Sequence, residues 1–108
     1  MPAARLIVGI LAAPEAPLSD CLAGLEDLFG PVWGQSAPLP FDFTDYYEAE
    51  MGRNLTRYWL CFSRPVARDC LARAKNATRD LEQRFAVAGR RKINLDPGLL
   101  TLHNLVLA

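Results

Sequence analysis

Surplus charge is the first thing this chain lacks. Its 108 residues carry 12 basic and 12 acidic side chains, a formal net charge of zero. That removes the electrostatic footprint of a general polyanion binder, so nucleic acid is not the expected partner. Paired cysteines are lacking too. Cys21, Cys61 and Cys70 are odd in number, and no two form a CxxC pair. They read as small apolar residues of a reducing, cytoplasmic protein rather than as staples, metal ligands or nucleophiles. No apolar run approaches the ~20 residues that cross a bilayer, so no membrane partner is expected. Residues 6–13 resemble a short signal core, but their β-branched content and the following Pro14 favour a buried strand. The only histidine is His103. Leu100-Thr101-Leu102-His103 reverses the His-x-Thr order of the phosphodiesterases and occurs once, which excludes that chemistry. A Walker loop, a GxGxxG turn and a Ser-His-Asp set are all missing, as are repeats and low-complexity stretches. No cofactor is named by what remains.

What is present is a composition 51% hydrophobic and 22% charged, enough for one core in one domain over residues 1–108. Leu6 to Leu11 is the continuous apolar run of a central strand, and Gly9 within it marks a close approach. From Glu15 to Phe29 the period becomes helical, with Leu18, Cys21, Leu22, Leu25, Leu28 and Phe29 on one face and Gly30-Pro31 as the stop. Val32 to Leu39 reads as an edge strand running into Pro40-Phe41-Asp42-Phe43. Thr44 then caps one or two helical turns over 45–51, closed by Gly52. Thr56 to Ser63 alternates, with Tyr58, Leu60 and Phe62 facing one way and Arg57, Trp59 and Cys61 the other. Ser63 is the expected cap of a second long helix with Arg64-Pro65 at its start. That helix buries Val66, Cys70, Ala74, Ala77, Leu81 and Phe85 and turns Arg68, Arg73, Lys75, Arg79 and Glu82 outward. Residues 90–95 alternate with Ile93 and Leu95 inward, Asp96-Pro97-Gly98 has turn chemistry, and Leu99 to Ala108 is apolar, helix or strand. The order predicts an α+β, ferredoxin-like βαββαβ fold, an antiparallel sheet with two helices on one face. A small three-layer α/β arrangement is the alternative.

Several stretches together carry a family resemblance. They are Leu6-Ile7-Val8-Gly9-Ile10-Leu11, Leu28-Phe29-Gly30-Pro31, Pro40-Phe41-Asp42-Phe43-Thr44-Asp45-Tyr46-Tyr47-Glu48 with Glu50-Met51-Gly52, Asn94-Leu95-Asp96-Pro97-Gly98, and the closing Leu100-Thr101-Leu102 and Leu105-Val106-Leu107-Ala108. The chain resembles the bacterial domain-of-unknown-function family numbered 4416 over essentially its whole length. The resemblance implies a soluble bacterial protein and supplies no activity. It also implies a domain whose relatives continue further, so that this chain corresponds to an N-terminal part.

The densest chemistry lies in residues 40–52. Asp42, Asp45 and Glu48, with Glu50, are hard oxygen donors suited to a divalent cation or to an acid–base pair. Asp45 and Glu48 serve equally as charges at a helix start. Of Tyr46 and Tyr47, adjacent on a helix, one packs and one faces solvent, and Tyr47 is the ligand-facing candidate. Arg53, Arg57, Arg90, Arg91 and Lys92 offer guanidinium and ammonium donors for a phosphate or carboxylate, or form a solvated charge run. If the third and fourth strands flank the first, Arg57 approaches Asn94. Asn94 and Asp96 sit at a strand end where binding groups collect. The expected function is small-ligand binding, phosphate- or metal-dependent enzymatic chemistry included, through Asp42, Asp45, Tyr47, Glu48, Arg57, Asn94 and Asp96. The alternatives are a self-associating or protein-binding module using a sheet face and, ranked last, RNA binding through Arg90-Arg91-Lys92.

Overall fold

The computed structural model describes residues 4–42, 44–101 and 105–107. The apolar run became β1 (Ala4–Ala12), followed by helix α1 (Leu18–Phe29), β2 (Val32–Gln35), the two-residue β3 (Leu39–Pro40), a single helical turn α2 (Glu48–Met51), β4 (Thr56–Val66), α3 (Leu71–Arg84), β5 (Ile93–Leu100) and β6 (Leu105–Leu107). The strands form one sheet in the order β2-β4-β1-β5-β6, with β3 also pairing β4. Every pairing is antiparallel. The molecule is therefore an α+β protein on one open antiparallel sheet.

Strand periodicity divides this sheet into two unlike faces. Leu6, Val8 and Ile10 of β1 join Leu60 and Phe62 of β4, Leu95 of β5, Cys21 and Leu25 of α1 and Ala74 and Leu81 of α3 in the main core. Both long helices cover that face. On the opposite face Leu11 and Ala13 form a small second core with Met51 and Leu55, contributed by the connection between β3 and β4 that carries α2. The rest of the second face is not covered by the described residues: Trp33 stands 77% exposed and Leu100 41%.

Four expectations need correction. Ser63 does not cap a helix. Its N–H and hydroxyl both donate to the Pro31 carbonyl, at 3.0 and 3.1 Å, and β4 continues to Val66. Pro65 is tolerated there because β2 pairs no further along β4 than Phe62, leaving an unpaired side for a residue without an N–H. The helical region starts after Ala67 with a 3-10 turn at Arg68–Cys70. Asp96-Pro97-Gly98 is not a turn either. All three residues pair with β1, opposite Gly9, Val8 and Ile7, and Pro97 lies just before the point where β6 begins to pair at Gly98. The helix alternative for 99–108 falls: Leu99 and Leu100 end β5, and residues 105–107 are strand. Residues 102–104 and 108 lie outside the described residues, as does Phe43, placed in an extended strand by its sequence. Finally, Glu82 is not on the outer side of α3 but 4% exposed.

Candidate functional site

Of the seven candidate side chains, Asp42, Asp45 and Glu48 form one group, Arg57, Asn94 and Asp96 another, and Tyr47 packs against Phe41. Asp42, Asp45 and Glu48 line one pocket of about 710 Å3 with Pro40, Phe41, Arg53 and Leu55. The local chain explains their convergence. Thr44 Oγ1 accepts the Tyr46 N–H at 3.1 Å, which tightens the turn ahead of α2. Gly52 at φ 87° and Asn54 at φ 59° then reverse the chain after it, a left-handed bend that suits Gly and Asn. Thr44 is therefore not the expected helix cap: α2 spans only Glu48–Met51, and its N-cap position is Tyr47 with no side-chain cap bond. Asp42 and Asp45 make no side-chain hydrogen bond or ion pair among the described residues, and Glu48 reaches only Arg53, at 3.8 Å and well exposed. Among the described residues no three acidic, histidine or cysteine side chains gather as metal ligands.

The second group is a partly buried polar network, and the expectation that Arg57 and Asn94 approach each other is met. Both lie opposite Leu11 of β1, one from each side. Asp96 joins them: Asn94 Nδ2 donates to its Oδ2 at 2.9 Å and Arg57 Nη1 to the same atom at 3.4 Å. Lys75 of α3 lies 3.8 Å from the other oxygen. The Arg57 guanidinium is also held between two rings, 5.2 Å from the Phe41 centroid and 5.3 Å from that of Trp59, a desolvated cation–π arrangement. Tyr47 packs edge-on against Phe41 at 5.9 Å, while its neighbour Tyr46 is 77% exposed.

Three residues beyond those seven organise this network: Arg91 and Glu50, expected to hold an anion and a cation, and Glu82, expected to face solvent. Arg91 grips Glu50 with a two-pronged contact, Nε to Oε2 and Nη2 to Oε1, both at 2.8 Å. Its backbone N–H adds a third bond at 2.9 Å, and Nη1 donates to Asn94 Oδ1 at 2.6 Å. These contacts hold the Glu50 carboxyl below its usual range, first through the Arg91 side-chain bonds. Glu82 receives the Leu95 N–H at 2.6 Å and faces Arg91 Nη1 at 3.6 Å. Burial outweighs both and pushes its carboxyl up. Glu82 thereby satisfies a backbone donor on the side of β5 where no described strand pairs at Leu95. Helical spacing carried a signal for it, since Ala74, Thr78 and Glu82 fall in one i, i+4 row and all are buried. The Glu50–Arg91 partnership spans 41 residues and left no local signal.

Other candidate groups are engaged within the fold. Lys92 pairs with Glu15 at 3.1 Å, so two of the three residues in the basic run are engaged within the fold. All three cysteines are free thiols, and Cys21 is buried. Burial, with the Glu82 charge behind it, pushes the Cys21 thiol up to about 12, which makes it a poor nucleophile. Among the described residues no helix is long and apolar enough to cross a membrane.

The fold and these two polar groupings define an α+β domain with an acidic pocket beside a sheet. The family is settled by comparison. A family model described as a domain of unknown function, DUF4416, matches residues 2–108, and the chain belongs to that family. No curated protein and no solved structure matches it.

Proposed function

We propose that this chain is a small-ligand-binding domain whose site is the pocket walled by Asp42, Asp45 and Glu48, and that its ligand carries positive charge. One observation supports this above the others. Three carboxylates face a single pocket whose only described cation is Arg53, and two of the three have no partner among the described residues. A carboxylate that stabilises a fold is ordinarily paired, as Glu50 and Asp96 are here. The local field favours a cation over a free phosphate, and Pro40, Phe41 and Leu55 give the ligand an apolar wall. Asn94, Asp96 and Arg57 are then supports: they fix β4, β5 and Phe41, and they touch no ligand. The engaged Arg91 and Lys92 weigh against the RNA reading.

For the fold, the order β2-β4-β1-β5 with its antiparallel pairings supports the ferredoxin-like reading. The three free thiols favour a reducing compartment. The test is calorimetric titration with small primary amines, magnesium and inorganic phosphate. Amine binding lost in Asp42→Asn and Asp45→Asn, with unchanged melting, is the expected result. Magnesium binding lost in the same variants would redirect the reading to a metal site. Binding of phosphate alone would overturn it.

A further inference from the structure

The uncovered part of the second sheet face is a groove of about 500 Å3 whose walls include Ile7, Trp33, Trp59, Cys61 and Leu100. Its floor at Gly34 is open, because a Cβ built there meets no atom within 4 Å. Beyond Trp33, Cys61 and Leu100 the groove runs into a second depression of about 320 Å3 that adds Arg5. Arg5 is exposed, and its guanidinium makes no ion pair among the described residues. An apolar trough ending in a cation with no ion-pair partner among the described residues is complementary to an apolar body carrying one negative charge. None of the described residues lining either depression is acidic. A second copy docked face to face across a two-fold would therefore bring Arg5 no counter-charge from this surface.

We propose that this groove binds a small amphipathic carboxylate, its apolar chain lying against Trp33, Ile7 and Leu100 and its carboxylate on Arg5. The site is separate from the acidic pocket and selects the opposite charge.

The chain's two tryptophans, Trp33 and Trp59, both line the groove, so their fluorescence reports its filling directly. Titration of the full chain with decanoate, below the concentration at which it forms micelles, is expected to give a saturable change. Arg5→Gln should weaken it about tenfold, the loss of a charge-assisted contact. Gly34→Leu should abolish it by filling the floor, with the melting curve retained. Decylamine should not compete, and Asp42→Asn should leave decanoate binding unchanged, which separates this site from the acidic pocket. The proposal is overturned if no saturable change occurs, if Arg5→Gln binds decanoate as the parent does, or if decylamine binds equally well. It is also overturned if the change appears only with self-association in sedimentation or only on anionic lipid vesicles.

Discussion

A methyl group at position 9 has nowhere to go. A Cβ there would stand 2.7 Å from Cζ3 of Trp59 and 2.9 Å from Nη1 of Arg57. Both of those side chains lie on the second sheet face, and Arg57 is fixed there by Phe41 and Asp96. Gly9→Ala must therefore push the indole and the guanidinium out of contact. We expect it to cost about 1–3 kcal/mol by overpacking, measured by urea unfolding. Gly34→Ala, built into open space, should stay within about 0.5 kcal/mol of the parent. Equal effects of the two substitutions would mean that Trp59 and Arg57 yield freely. This crowding was legible in advance, because a glycine interrupting an apolar strand signals close approach. Glu82 was not legible as a buried group by polarity alone. A charged side chain on a helix reads as solvated unless the i, i+4 row it shares with Ala74 and Thr78 is given more weight than its charge.

Among the elements, the connection that carries α2 has few anchors. It lies on the second face through Leu11, Ala13, Met51 and Leu55, and its polar anchor is Arg91 on Glu50. Four helical residues cannot hold themselves in water. Their order depends on that small core and that clamp. Arg91→Ala would remove the paired contact to Glu50 and the bond to Asn94 together. The pair is partly exposed, which discounts its worth toward the lower end of charged hydrogen bonds, about 1.5 kcal/mol. The expected signature is local. Hydrogen exchange should accelerate at the Met51 and Gly52 amides, which donate to Tyr47 and Glu48, far more than at β1. Uniform acceleration across the sheet would mean that the connection opens only with global unfolding. Elements with strong periodicity, β1, α1 and the body of α3, were readable in the sequence. The misreadings fell at Ser63 and at Asp96-Pro97-Gly98, where local chemistry favoured caps and turns. At Asp96-Pro97-Gly98 pairing with β1 overrode propensity, at Ser63 the bonds to the Pro31 carbonyl did, and prolines found sides of a strand that needed no donor.

At the scale of the whole molecule, two carboxylates on the same arginine respond to acid in opposite ways. Glu50 sits below its ordinary value of 4.5 because Arg91 bonds its charged form. Its stabilisation is present above 4.5 and is lost as pH falls through the lowered value. Glu82 sits above 4.5 because burial disfavours its charge more than Leu95 and Arg91 restore it. Its favourable contribution is present below 4.5 and is lost as pH rises through the raised value. At neutral pH the molecule thus keeps the Glu50 clamp and bears a cost at Glu82. Neither could be read from composition, because both depend on which chain segments the sheet brings beside Arg91. Glu82→Gln keeps an acceptor for the Leu95 N–H and discards the buried charge. It is expected to melt a few degrees above the parent at pH 7, and the gap should close as pH falls below 4.5, where the parent's own Glu82 is neutral. Glu82→Ala strands the Leu95 N–H and should cost about 1–3 kcal/mol at either pH. Melting curves of parent and both variants from pH 3 to 8 decide the matter. If Glu82→Gln melts below the parent by the same margin at every pH, the attraction of Arg91 for Glu82 exceeds its burial cost, and the three side chains act as one stabilising triad rather than as opposed halves.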